Sequence, residues 1–278
     1  MLVHPPAQET AKFWVAPDIG QLELLKATYI KHTFPRHTHD AYVIGIVERG
    51  VQAFYYRGAN HVAPAGSIIV INPDEVHTGY AAHETGWSYR TLYPTVELMQ
   101  RTANDTTNDS GLIPLFPVPI IHDPLMAKNL RQLHITLETS PSALKRESLF
   151  IETLTHFVQR HAQSRPDKTK LGAEHYAVRQ IQDYLAQHYA DNITVDQLAR
   201  LVNLSPFYLT RIFRQATGLP PHTFLTQLRI NQAKRLLATE QSIVDVAVQT
   251  GFVDQSHLTR HFKRFVGTTP GQYLSSLR

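Results

Sequence analysis

The chain has 278 residues, no cysteine and a formal net charge of +4. That length suits two domains with ample core, and the absence of cysteine excludes disulfides, thiolate metal sites and cysteine nucleophiles. No run of 18 apolar residues occurs to form a transmembrane helix, and Met1-Leu2-Val3-His4-Pro5-Pro6 lacks the basic-then-apolar pattern of a signal peptide, so a cytoplasmic protein away from membranes is expected.

Residues 1–33 read as an irregular lead-in with candidate strands at Gln21–Leu25 and Lys26–Ile30. From 34 to 94 the texture changes. Tyr42–Val47, Gln52–Tyr56, Ser67–Ile71 and Trp87–Tyr93 are short, rich in β-branched and aromatic residues, and separated by Gly, Pro or Asn-Pro. Closely spaced short strands predict a sandwich or barrel. Gly50 and Gly58 fit turns between neighbouring strands, and Asn72-Pro73-Asp74-Glu75 is a further turn signal. His37 and His39 lie two apart, which on a strand gives them one face. With His77 they offer three imidazole nitrogens, a set that suffices for zinc.

Phe34-Pro35-Arg36-His37-Thr38-His39 with Gly50, then Pro64-Ala65-Gly66-Ser67 with Asn72-Pro73 and His77, resemble the two motifs of cupin barrels over about sixty residues. The resemblance implies a small all-β barrel that senses a ligand. Metal-binding cupins place a glutamate a few residues after the histidine pair, and here those positions are Val43 and Ile44. That departure argues against an inherited metal centre. The expectation is therefore no metal, no cofactor and no catalytic residue. His37, His39, Tyr42 and His77 are instead expected to bind a small effector.

Residues 95–121 are expected as loop, with Thr102–Gly111 rich in Asn, Asp and Thr. The Pro-interrupted run Ile113–Ile121 cannot be a central strand. It reads as an edge strand or an extended cover for the barrel. Two helices follow, the first from Asp123 with Leu125, Leu130, Leu133 and Leu137. The second follows Ser140-Pro141, an N-cap with a first-turn proline, and carries Leu144, Leu149, Ile151, Leu154, Phe157 and Val158. Gln163–Lys170 has linker composition. A helix at 175–188 with Val178, Ile181, Tyr184 and Leu185 opens the last domain. The expected boundaries are 1–121 for the sensor, 122–162 for the helical region, 163–172 for the linker and 173–278 for the C-terminal domain.

Within 194–274 one pattern occurs twice. Leu198-Ala199, Leu204, Leu209-Thr210-Arg211, Phe213-Arg214, Gly218 and Pro221 are matched by Val246-Ala247, Phe252, Leu258-Thr259-Arg260, Phe262-Lys263, Gly267 and Pro270. Such a repeat marks a supersecondary unit used twice. Thr194 and Ser205 are candidate N-caps, Pro206 suits a first helical position, and Gly218 suits a helix stop. Short helix, tight turn, short helix is the helix-turn-helix unit. Its second helix would present Phe207, Thr210, Arg211 and Arg214 in the first copy, and Gln255, Ser256, His257, Thr259 and Arg260 in the second. Such side chains can bond base edges or phosphates. Residues 173–278 hold eleven Lys/Arg against seven Asp/Glu, whereas residues 1–172 hold sixteen of each. The positive excess therefore belongs wholly to this part.

These features, with the Gly251-Phe252 turn, the Phe262-Lys263-Arg264-Phe265 run and the Pro270-Gln272-Tyr273 end, resemble the AraC/XylS family of bacterial transcription regulators over about the last hundred residues. The resemblance implies an all-α tandem helix-turn-helix domain behind the β-barrel and its flanking helices. It also implies a long helix from Pro221 through Leu237 that joins the two units. The implied function is sequence-specific binding of double-stranded promoter DNA, as an activator answering a small-molecule effector and working with RNA polymerase. In that family the region 123–161 either covers the barrel or carries homodimer contacts. The rival from another class is a metal-dependent cupin enzyme fused to a DNA-binding domain, and a third reading is a ligand-independent regulator.

Overall fold

The computed structural model describes residues 8–104, 113–164, 173–239 and 241–277. The chain divides into two compact units, one holding residues up to 33 and 38–166, the other 34–37 and 167–276. The Thr102–Gly111 loop and the linker expected at 163–172 fall largely outside the described residues, as does the start of the lead-in.

The first unit opens with β1 (Thr10–Ala16) and β2 (Leu22–Tyr29), an antiparallel pair. Along the chain follow β3 (Phe34–His37), which is counted with the second unit, and then β4 (Val43–Tyr56), β5 (Ala59–Pro64), β6 (Ile68–Ile71), β7 (His77–Ala81) and β8 (Trp87–Tyr93). They are followed by α1 (Val96–Asn104), β9 (Pro114–Leu115), β10 (Ile120–Ile121), α2 (Pro124–Thr139) and α3 (Ala143–His161). The main path of the sheet runs β1-β2-β8-β4-β6-β10, while β5 and β7 also pair with β4 and β3 pairs with β7.

Period-two alternation decides what each sheet face meets. Leu22, Leu24, Ile44, Ile46, Ile68, Val70 and Leu92 pack with Met126, Leu130, Leu133, Leu137, Leu154 and Phe157 of the two helices. The opposite face buries Val47, Phe54, Tyr56, Ile69 and Ile71. Each such side chain contributes roughly 1.5–3 kcal/mol on burial. Asn72 fastens the Pro-rich cover: its side chain accepts from Phe116 N at 2.9 Å and donates to Phe116 O at 2.9 Å. Ile120–Ile121 then pairs with β6 as the expected edge strand.

Several sequence expectations change. The lead-in contains the regular strand β1, and the two candidates at 21–30 are one strand. Gly50 is not a turn, because β4 runs through it for 14 residues with a register shift between Val47 and Arg49. Its φ is +72°, and a Cβ there would lie 2.1 Å from the Gly86 carbonyl oxygen. Close approach of two strands therefore demands glycine. Val96–Asn104 is helical where loop was expected. The second covering helix is capped by Ser142 rather than Ser140, which instead ends α2. Leu125, Leu144 and Ile151 are 63, 75 and 55% exposed and belong to no core.

A buried ionic cluster joins α2 to the sheet. Arg90, on the helix-facing side of β8, donates to Glu48 at 2.9 Å, to Glu138 at 3.1 Å and to His134 Nδ1 at 3.1 Å. His134 Nε2 in turn donates to the Leu25 carbonyl at 3.2 Å. Burial, reinforced by the Arg90 charge, pushes the imidazole down to about 4. Folded His134 is thus neutral where an unfolded histidine, near 6.5, begins to take a proton. Its contribution is fully present above pH 6.5 and is lost as pH falls toward 4. We expect about 2 kcal/mol of stability to vanish between pH 7 and 5, and less in His134→Gln, as read by urea unfolding at each pH. At neutral pH Arg90→Ala should cost about 3 kcal/mol because it strands two carboxylates. Arg131→Ala, which removes a half-exposed partner of Glu48, should cost under about 1 kcal/mol.

The second unit comprises α4 (Ala173–Gln187), α5 (Val195–Leu201), α6 (Pro206–Thr217), α7 (Pro221–Leu237), α8 (Ile243–Gln249), α9 (Gln255–Val266) and α10 (Pro270–Leu277). Thr194 forms a capping box with Gln197. Ser205, Ser242 and Asp254 cap α6, α8 and α9, and Gly218 and Gly267 close the two second helices in the left-handed conformation. No helix among the described residues is long and apolar enough to cross a membrane.

Candidate DNA-reading surface and sensor site

The two helix pairs are built alike. In the first, Leu198, Ala199, Leu209, Ile212 and Phe213 are buried with Val178, Ile181 and Leu185 of α4. In the second, Val246, Ala247, Phe252, Leu258, Phe262 and Phe265 are buried. The turn closes with one main-chain bond in each copy, Leu204 N to Ala199 O at 3.0 Å and Phe252 N to Ala247 O at 2.9 Å. Ala199 and Ala247 are 2 and 0% exposed, as expected where two helices cross closely. The apolar stripe inside turns the opposite stripe of α6 and α9 outward.

That outer stripe carries Arg211 and Arg214 on α6 and Gln255, Ser256 and Arg260 on α9, all exposed. The Arg211 guanidinium lies 4.8 Å from the Tyr208 ring centre, and Tyr208 donates its hydroxyl to Glu174. The ring therefore steadies Arg211 at a fixed place on the surface. Thr210 and Thr259 are half-buried at the same edge, and the Thr210 hydroxyl donates to Pro206 O at 2.8 Å. His257 differs from its neighbours. It is half-buried, with its ring 5.4 Å from Phe252 and 4.7 Å from His261, so it packs the turn as well as flanking the surface. Burial first, and then the nearby His257, Arg264 and Arg260, hold the His261 ring below the usual histidine range. Phe207 occupies the second position of α6, and its side chain lies outside the described residues.

Two further cations share this surface, Lys263 and Arg264, both exposed near the end of α9. Lys263 matches Arg214 in the repeat register, and that match was the signal available for it. The stripe holds five exposed cations and no carboxylate besides the Asp254 cap, which suits a polyanion.

The structure brings His37, His39 and His77 together, with one ring nitrogen of each within 4.8 Å of the others. His37 and His77 are buried, and His39 lies just past the end of β3. The Nδ1 of His37 meets the Pro35 carbonyl at 2.7 Å, and that of His77 meets the Glu75 carbonyl at 3.0 Å. A carbonyl only accepts, so Nδ1 carries the proton and Nε2 the lone pair in each neutral ring. Such oriented imidazoles can accept from a ligand, or hold a metal as an all-nitrogen set. The Val43 and Ile44 side chains supply no carboxylate for that purpose, and Glu75 is engaged by Arg57 at 2.6 and 2.8 Å.

Tyr42 packs into the helix-side core. It shares the strand face of Ile44 and Ile46, is fully buried, and donates to the Pro114 carbonyl at 2.5 Å. Tyr93 is the tyrosine beside the histidines, its ring 5.3 Å from His39. The aromatic row continues on the same face of β8 and onto β2, with Trp87 and Tyr89 5.9 Å apart and Tyr29 5.4 Å from Trp87. Burial pushes the hydroxyls of Tyr29, Tyr89 and Tyr93 above the ordinary phenol range, so all three stay neutral donors and acceptors. The buried Trp87 Nε1 and Gln52 Oε1 have no hydrogen-bond partner among the described residues.

A sheet-rich unit with a polar, aromatic-lined site and a second unit of paired helix-turn-helix elements define a DNA-binding transcription regulator with its own ligand-binding domain. The comparisons agree. The AraC-like ligand binding domain profile matches residues 19–154, and a helix-turn-helix domain profile matches 198–276. The uncharacterized HTH-type transcriptional regulator YbfI of Bacillus subtilis is 31% identical over 250 residues, covering 90% of each chain. The HTH-type transcriptional activator RhaS of Escherichia coli is 28% identical over 256 residues, covering 85% of this chain and 86% of RhaS. In fold, an apo point variant of ToxT from Vibrio cholerae superimposes with a TM-score of 0.59 at 13% identity, covering 99% of each chain. Wild-type ToxT bound to an unsaturated fatty acid gives 0.57 at 14% identity, over 99% of this chain and 98% of that one. The chain belongs to the AraC family of transcriptional regulators.

The surface yields a graded expectation. Arg260→Ala, if its guanidinium reads a base edge, should lower specific affinity by about 1–3 kcal/mol and relax preference at one base position. Arg211→Ala should act likewise on the other half of the site. Lys263→Ala should weaken all sequences alike and reduce the salt slope by about 1, as loss of a phosphate contact does. Gel-shift titrations at several salt concentrations test this, and unchanged affinity in folded arginine variants would remove both residues from the interface.

Proposed function

We propose that this regulator is an activator whose barrel binds a small effector beside His37, His39 and His77, and that this binding alters its hold on promoter DNA. The observation that carries the reading is the convergence of three imidazoles, two of them oriented by main-chain carbonyls, beside the neutral Tyr93. Barrels of this size hold one small ligand, gripped by an apolar wall and a few polar groups. Here the wall is aromatic and its buried tyrosines stay neutral. That chemistry suits a small polar or aromatic compound. Its binding must differ between DNA-competent and incompetent arrangements, with coupling of about 1–3 kcal/mol. The helices at 124–161, a homodimer formed through them and contact with RNA polymerase on promoter DNA complete the reading, which places the protein in the cytoplasm.

A compound screen on the full chain by thermal shift identifies the effector, since a bound ligand raises apparent stability by mass action. His37→Ala and His77→Ala should then remove the effector response while basal DNA affinity stays within about twofold, a change under about 0.5 kcal/mol. A full response in both variants would move the effector site elsewhere.

The histidine cluster alone favours one second reading, a metal-dependent cupin activity joined to the DNA-binding domain. It requires a tightly held metal with an open coordination position. Elemental analysis of purified protein separates the two readings. Stoichiometric metal lost in His77→Ala would favour the second, and its absence the first.

A further inference from the structure

The turns of the two helix pairs offer an internal comparison. The residue before the closing bond takes a left-handed backbone in both, Asn203 with φ +53° and Gly251 with φ +76°. Asparagine serves in the first copy, so the left-handed conformation by itself does not demand glycine. The second turn is also crowded. A Cβ on Gly251 would lie 2.5 Å from the Ala190 carbonyl oxygen and 3.0 Å from the Ala190 Cα and carbonyl carbon. The backbone of the second turn therefore rests directly on the loop between α4 and α5.

That same loop is gripped from the connecting helix. Arg229, midway along α7, donates through Nε to the Tyr189 carbonyl at 2.7 Å and through Nη2 to the Asp191 carbonyl at 2.9 Å. These carbonyls flank Ala190 on either side. One planar guanidinium thus fixes the peptide that Gly251 touches, with two bonds in a rigid fork that a lysine cannot reproduce. Three residues past Asp191 the capping box of Thr194 starts α5, so the loop is also the entry to the first helix pair.

We infer that the Arg229–Ala190–Gly251 contact is a spacing device, in which α7 clamps the 189–191 loop against the second turn and so sets the distance and angle between the two reading helices. Arg229 is a positioning residue, and it touches no base in this role. The separation matters because α7, at 17 residues, spans about 26 Å. Successive major-groove faces lie one helical turn, about 34 Å, apart. A base pair added between half-sites shifts the second by about 3.4 Å and a tenth of a turn. A rigid pair of reading helices rejects that change, whereas a loose pair adapts to it.

The inference rests on both units reading one duplex. The full-length protein is used to select binders from a pool of random duplexes. Affinities are then measured for the selected duplex, for versions with one base pair added or removed between halves, and for each half alone. The wild type should lose about tenfold or more on either spacing change, as for a mismatched site. Arg229→Gln and Gly251→Asn should discriminate among spacings by less than about threefold, with single-half affinities unchanged, and Arg229→Lys should fall between. Asn203→Gly, which changes the first turn and leaves the Arg229–Ala190–Gly251 contact intact, should behave as wild type. Arg229→Gln adds no atom against the loop, so it decides the question if Gly251→Asn loses its helical signal. Folded Arg229→Gln that keeps wild-type discrimination, or that weakens on whole and half sites alike, overturns the spacing role. A wild-type selection with a single conserved half removes the two-unit reading itself, whereas two halves with undiminished discrimination in the variants remove only the clamp.

Discussion

One main-chain hydrogen bond organises each reading unit, from Leu204 N to Ala199 O and from Phe252 N to Ala247 O. To form it, the chain must reverse within a few residues of the first helix, which requires a left-handed residue just before it. The bond also places Leu204 or Phe252 against the helix pair as an apolar anchor. The next residues, Ser205 or Asp254, then cap the second helix at a set angle. Only with that angle fixed does the buried stripe of α6 or α9 force the basic stripe outward. The cations are therefore presented by packing and capping, and their own pairwise interactions contribute little.

The sensor unit obeys a different constraint, since its sheet is buried on both faces. One face meets α2 and α3 through aliphatic residues, and the Arg90 cluster adds polar ties that only the folded arrangement satisfies. The other face collects aromatic rings, whose buried tyrosine hydroxyls stay neutral. The division follows from strand parity: Leu92 and Arg90 point to the helices, whereas Trp87, Tyr89 and Tyr93 point the other way.

Parity also explains what the sequence disclosed. The tandem repeat, its caps and its outward arginines were legible because each depends on residues within a turn or two. The three histidines were found through their motif spacing. Tyr42 packs in the helix-side core, as its parity with Ile44 and Ile46 dictates, and Tyr93, fifty-four residues from His39, had no local signal. Gly50 read as a turn because the partner that demands glycine there, Gly86, is remote in sequence. Leu125, Leu144 and Ile151 had helical spacing yet lie on exposed faces, since spacing alone does not choose which stripe is covered.

On the proposed reading, one chain engages two successive major-groove segments with two similar helices. Hydroxyl-radical footprinting of the full-length protein on a selected duplex tests it most directly. Two protected windows about 10 base pairs apart on one face of the duplex are expected, one weakened by Arg211→Ala and the other by Arg260→Ala. A single window, lost as a whole in either variant, would contradict it.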